Sequence, residues 1–309
     1  MRIFIAGFLL LLSGCATSAR QTEAFLLAPR NIPESHKIAD VHFIGQTDHY
    51  CGPATLAMAM NWAGKKLSAD ELASQVYTPG KKGTLQQDLI SASRRQGMLA
   101  IPIQGMSALL HEIAADHPVI ILENLAFSWY PQWHYALVFG YDLSRSEVIM
   151  HSGSRAAKHW GMRKFERSWI YSDFWGLVVL PPTQLSATAD DLAHNEAAAG
   201  LEQVGKLEEA STVYQNILKR WPGSLPALIG LGNIAFLKQN YLGAIQFLLE
   251  ATKLHPKSSA AWHNLATAQG AADKKDAAHL STIRALELVP KDSAAIYHES
   301  LKDWIVEMN

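Results

Sequence analysis

Three prolines, Pro222, Pro256 and Pro290, each lie 34 residues from the next. Other positions keep the same step: Leu231 with Leu265, Ala227 with Ala261 and Ala295, Ala210 with Ala244 and Ala278. A fixed period of this length admits few folds, because one unit is too short to bury its own apolar face and must stack on the next. Small residues that recur mark places where helices cross closely, and a proline closing each unit cannot continue a helix. The C-terminal part is therefore expected to be all-α, an array of helix pairs over 191–224, 225–258 and 259–292, with a capping helix over 293–308.

This period, with its small residues and closing prolines, resembles that of tetratricopeptide repeats. The resemblance implies a concave face that takes up an extended peptide or a partner helix, and hence a protein partner. The array begins where composition shifts at Thr183, with Ala, Asp, Glu and Asn replacing aromatic residues, so 183–309 is read as one domain. Gly200 to Leu207, GLEQVGKL, imitates a phosphate loop. It is rejected, because Leu207 stands where a Ser or Thr is needed and no strand precedes it.

The full chain of 309 residues has room for about two domains at ~150 residues each. It opens MRIFIAGFLLLLSGCATS, with Arg2 followed by an apolar run from Ile3 to Leu12. That run is short of the ~20 residues that a spanning helix needs. Leu12-Ser13-Gly14-Cys15 resembles the lipobox of bacterial lipoproteins, which implies lipidation of Cys15 and removal of residues before it. Ala16 in place of Asp after the lipidated residue implies outer-membrane sorting. The expectation is a signal segment over 1–15, a tether over 16–37, and a soluble body held at the cell envelope facing the periplasm by a lipid anchor only. If Cys15 carries lipid, Cys51 is the single remaining thiol, and an unpaired thiol in an oxidising compartment is a hazard unless buried or used. A net charge of −1 without a basic run argues against nucleic acid as a partner.

Between the tether and the repeats, 38–182 is expected to be an α+β domain, helices first and an antiparallel sheet second. Ser68 with Glu71, and Thr84 with Gln87, are spaced as capping boxes for two helices. Leu99 to Ile103, Pro118 to Glu123, Trp133 to Tyr141, Glu147 to His151 and Gly176 to Leu180 are expected as strands, Ser107 to Asp116 as a helix, and Trp160 to Trp175 as irregular.

Within it, Gln46 to Gly64, QTDHYCGPATLAMAMNWAG, places Cys51 where a loop becomes an apolar helix started by Gly52 and Pro53. A helix N-terminus favours an anion and so the thiolate. A cysteine hydrolase also needs a base and donors for the oxyanion. Of 13 histidines, His134 opens an antiparallel strand well downstream of the cysteine, which suits a base on a sheet facing a nucleophile on a helix. Gln46, five residues before Cys51, is placed for its amide to help the Cys51 N–H hold an oxyanion.

Together QTDHYCGPATLAMAMNWAG and HYALVFGYD resemble the peptidase domain of bacteriocin-processing, double-glycine cysteine peptidases, which have a papain-like fold. The resemblance implies Cys51 as nucleophile, His134 as base and Gln46 as oxyanion donor, with no metal and no cofactor. The family's third residue, an Asp in an Asp-Pro pair after the next strand, has no counterpart: the strand ends Met150-His151-Ser152-Gly153. Ser152 is the candidate for that slot, with Asn124 or Asp142 as substitutes. Without a carboxylate an imidazole is less firmly held, so a thiol pKa depressed less than in a full triad is expected.

The sequence thus points to a papain-like cysteine peptidase domain followed by tetratricopeptide repeats, acting on a peptide or protein substrate. A non-catalytic binding or assembly lipoprotein on a degenerate peptidase fold is the alternative, and an amidase or acyl transferase a third reading.

Overall fold

A computed structural model describes residues 19–28, 31–46, 50–81, 83–290, 292 and 294–302. Cys15 and the signal segment lie outside the described residues. The chain enters with α1 (Arg20–Leu27) and β1 (Ser35–Lys37), then α2 (Cys51–Trp62), α3 (Ala69–Val76), a small hairpin of β2 (Tyr77–Thr78) and β3 (Gly83–Thr84), and α4 (Gln86–Arg95). Next come β4 (Leu99–Gln104), α5 (Gly105–Ala114), β5 (Val119–Asn124), β6 (Trp133–Asp142), β7 (Glu147–Ser152), β8 (Arg155–Gly161), α6 (Met162–Trp169) and β9 (Trp175–Leu180).

These strands form a seven-stranded sheet in the order β4-β9-β5-β6-β7-β8, with β1 pairing the far end of β6. Every pairing is antiparallel. Alternation along each strand sends one set of side chains to each face. Ala100, Ile120, Tyr135, Leu137, Leu177 and Val179 pack with the apolar sides of α2, α3 and α4. Ile101, Ile121, Ala136, Val138 and Val178 pack on the other face with α5 and α6. Gly52 through Met60 are all buried. A helix that is apolar all round is stable only in such a place.

The repeats follow as α7 (Asp191–Gln203), α8 (Leu207–Arg220), α9 (Leu225–Leu237), α10 (Tyr241–Leu254), α11 (Ser259–Ala271) and α12 (Lys275–Leu288), then α13 (Ala294–Ser300). The first helices of the pairs begin at 191, 225 and 259, in step with the 34-residue period. At the crossings the small residues are obligatory: a Cβ on Gly230 would come within 2.4 Å of the Tyr214 ring, and one on Gly232 within 2.7 Å of Leu248. The architecture is an antiparallel sheet with helices on both faces, followed by a helical repeat array.

Three local expectations are corrected. Part of 16–37 is not a free tether: the amides of Gln21 and Thr22 donate to the buried Glu166 carboxylate at 2.9 and 2.7 Å, and β1 joins the sheet. The second capping box is not Thr84 with Gln87, because the helix starts later and Asp88 accepts the Leu85 N–H. The stretch from Trp160 contains the end of β8 and all of α6. It looked irregular because β8 has no clean apolar alternation, its side chains being exposed or half-buried throughout.

The two parts share one apolar core. Ala197, Ala198 and Leu201 of α7, and Ala210, Val213 and Ile217 of α8, belong to the cluster that contains the sheet face of β4 to β6. The connecting segment is fastened by Glu112 of α5, whose fully buried carboxylate accepts from Ser186 Oγ (2.5 Å), the N–H groups of Ala187 (3.2 Å) and Thr188 (2.8 Å), and Thr188 Oγ1 (2.6 Å). His117 Nδ1 lies 2.7 Å from the other side of the same carboxylate.

Candidate active site

The end of β6 creates the site. β5 covers one edge of β6 over residues 133–138, while β7 covers the opposite edge only from Leu137 onward. The backbone of Tyr135 is therefore free on the β7 side, and the N-terminus of α2 fills the gap. The Tyr135 carbonyl accepts from Thr55 Oγ1 at 3.4 Å and from Gln46 Nε2 at 3.5 Å. On the same edge the backbone of Tyr135, with those of Gly52 and Cys51 at the helix start, is placed to favour the Cys51 thiolate. The nucleophile candidate thus lies against the residue that follows His134.

His134 is part-buried, and its Nε2 lies 3.1 Å from Ser152 Oγ at the end of β7. Ser152 is thus brought within hydrogen-bond distance of the candidate base. Asn124 and Asp142 are engaged elsewhere: Asn124 accepts the N–H groups of Ala126 and Gln132 and donates to the Phe127 carbonyl, and Asp142 holds the far turn through Ser144 and Arg145. Gln46 is clamped to the turn after Ser152, its N–H donating to the Gly153 carbonyl at 3.2 Å and its Oε1 accepting the Gly153 N–H at 3.0 Å. Its amide nitrogen donates to Thr55 Oγ1 at 2.9 Å.

Gly52 is required by packing. A Cβ there would fall within 2.3 Å of Thr84 Oγ1, so the hairpin of β2 and β3 lies directly on the first turn of α2. Tyr135 ties the same hairpin to the sheet by donating to the Thr84 carbonyl at 3.1 Å.

Burial dominates the electrostatics. It pushes the Cys51 thiol up, more than the backbone groups of Tyr135, Gly52 and Cys51 pull it down. Burial, with the positive charge of Lys158 second, lowers His134 to about 4. Both shifts disfavour the charged forms, so thiol and imidazole rest neutral at pH 7. The expectation of a depressed thiol is corrected: desolvation at a covered helix terminus outweighs its favourable N–H groups.

Sequence reasoning missed Glu123. It is the penultimate residue of β5, directly opposite His134 in the β5–β6 register, and is fully buried. Burial raises it to about 7, against the pull of the Ser168 hydroxyl and of Lys158. Its alternation with Ile121 and Val119 was visible, but only the register reveals the histidine as its neighbour. The loop before His134 was also passed over, although Phe127, Trp129, Tyr130 and Trp133 are all exposed there and Phe127 stacks on Trp129 at 5.4 Å. Among the described residues no group of three or more His, Cys, Asp or Glu is arranged to hold a metal ion.

Residues 38–175 match the model of the Peptidase_C39 like family, and residues 201–269 that of a tetratricopeptide repeat family. In chain order, a region similar to C39-like peptidases is followed by one similar to tetratricopeptide repeats. Among solved structures, a C39-like peptidase from Bacillus anthracis is 18% identical, with 50% of this chain covering 100% of that one at a TM-score of 0.43. The peptidase domain of Streptococcus ComA, a bi-functional ABC transporter of a quorum-sensing pathway, is 21% identical, with 46% and 98% covered and a TM-score of 0.39. MamA from Desulfovibrio magneticus RS-1 is 18% identical over 39% of this chain and 76% of that one, at a TM-score of 0.31. No curated protein matches. In the C39-like domain the catalytic candidates are Cys51, His134, Gln46 and Ser152; among the described residues no helix is long and apolar enough to cross a membrane.

Proposed function

We propose that the C39-like domain hydrolyses peptide bonds with Cys51 as nucleophile and His134 as base. The observation that carries this reading is the 3.1 Å contact between His134 Nε2 and Ser152 Oγ. It leaves Nδ1 of the imidazole to serve the thiol. As the Cys51 sulfur attacks the scissile carbonyl carbon, His134 takes the thiol proton and the C=O bond opens to an oxyanion. The Cys51 N–H and the Gln46 amide hold that oxygen, the amide giving up its long bond to the Tyr135 carbonyl. Collapse breaks the C–N bond, and the imidazolium returns the proton to the leaving amine. A water then attacks the thioester carbon, His134 takes the water's proton, and the acid departs from a restored thiol. Because both partners rest neutral, the proton moves during attack rather than beforehand.

The repeats recruit a protein partner or the substrate itself, and lipid on Cys15 holds the assembly at the outer membrane facing the periplasm. The alternative, a binding or assembly protein on a degenerate peptidase fold, is favoured by one observation, the burial that keeps the thiol protonated. A peptidyl electrophile that acylates active-site thiols separates the two. Adduct on native wild-type protein, absent from Cys51→Ser and strongly slowed in His134→Ala, supports hydrolysis. Adduct that forms only after denaturation supports the binding reading.

A further inference from the structure

We propose that Glu123 is a positioning residue for His134, its carboxylate facing the imidazole across the β5–β6 pair and supplying the counter-charge that Ser152 cannot. The proposal rests on the reading of Cys51 and His134 as nucleophile and base. Directly opposed residues of an antiparallel pair point to the same face, with Cβ atoms about 5 Å apart. Glu123 and His134 are such a pair. Glu123 Oε2 accepts from Ser168 Oγ at 2.7 Å, whereas Oε1 is buried without a hydrogen-bond partner. An unsatisfied carboxylate oxygen in a core is costly and calls for a reason.

The charged groups around it are few. Lys158 of β8 acts on both Glu123 and His134. On α6, Glu166 is bound to the amides of Gln21 and Thr22, Arg163 pairs with Glu23, and Lys164 lies over the Trp160 ring. Arg167 is the remaining charge on that helix. On α5, Glu112 is committed to the segment before α7, and His111 to Ser107 and Asn31. Beside β5, α2 and β9 carry no charged side chain, Cys51 being the one titratable group.

Below about pH 7 Glu123 holds its proton, and among the described residues Lys158 is the charge that acts on an imidazolium at His134. As pH rises through that value the carboxyl ionises. The new negative charge beside His134 favours imidazolium and, through it, the thiolate. Reactivity of Cys51 should then climb in a step near pH 7 that requires both Glu123 and His134.

The test is the rate of Cys51 alkylation by iodoacetamide from pH 5 to 10 in the full chain, with Cys15→Ser leaving one thiol. The proposal expects a step near pH 7 that Glu123→Gln abolishes, with reactivity just above the step falling about ten-fold, one pKa unit's worth. A wild-type profile in Glu123→Gln overturns it. If His134→Ala still alters that profile, the Cys51–His134 reading survives alone; if neither variant alters it, both readings fall. Should Glu123→Gln not fold, Ser168→Ala serves: removing the hydroxyl that holds Oε2 should move the step to higher pH, and an unmoved step overturns the proposal.

Discussion

At the scale of single residues, the proposed mechanism has Ser152 orient His134 with a hydroxyl where a carboxylate would use charge. A neutral hydrogen bond contributes about 1 kcal/mol net, so Ser152→Ala should lower peptide hydrolysis about five-fold while leaving thermal unfolding within a few degrees of wild type. Steady-state kinetics with matched unfolding curves check this. Ser152→Asp should raise activity, because an ionised partner stabilises the imidazolium directly. At Gly52 the effect should be on stability instead: the added methyl of Gly52→Ala meets Thr84, and overpacking of this kind costs about 1–3 kcal/mol. Cys51, His134 and Gln46 stood out as candidates because residue type and spacing mark them. Glu123 did not, because its importance is a matter of register across two strands, and a lone Glu ending an apolar strand reads equally well as a solvated end.

At the scale of elements, the buried Glu112 makes the junction. Burial would raise its carboxyl, but the hydrogen bonds from His117, Ser186 and Thr188, with the charge of His117, lower it to about 2. An acid depressed in the folded state adds stability that is full above its unfolded value, near 4.5, and is lost as pH falls toward 2. The junction should therefore loosen in acid over that window. Glu112→Ala should loosen it at neutral pH, exposing the segment around 183–190 to proteolysis and costing about 3 kcal/mol or more, since several donors lose their acceptor together. Mass mapping of the cleavage sites checks the location. The helices of the array were legible because a 34-residue step survives any detail of packing. Helix α1 was not, because its anchor is the carboxylate of Glu166, 144 residues away from Thr22 in the chain.

At the scale of the whole molecule, the shared core means that the repeats are not an independent appendage. In an isolated fragment of 183–309, α7 and α8 lose the sheet face against which Ala197, Leu201 and Val213 are packed. Hydrogen exchange should then be fast in α7 and α8 and slow in α9 to α12, whereas the full chain protects all six. Equal protection in both would mean that the junction contributes little. Lipid on Cys15 is tested by metabolic labelling with a fatty-acid analogue: label should follow the protein to the outer-membrane fraction and vanish in Cys15→Ser. The central claim is that this C39-like domain breaks acyl bonds through a thioester on Cys51, and rapid-quench intact-mass analysis with an activated peptidyl ester observes that bond directly. The account predicts an acyl adduct on Cys51 that forms and decays in wild type, is hydroxylamine-sensitive, and accumulates far more slowly in His134→Ala. Native protein that stays unmodified, or that acylates at the same rate in wild type and His134→Ala, would contradict it.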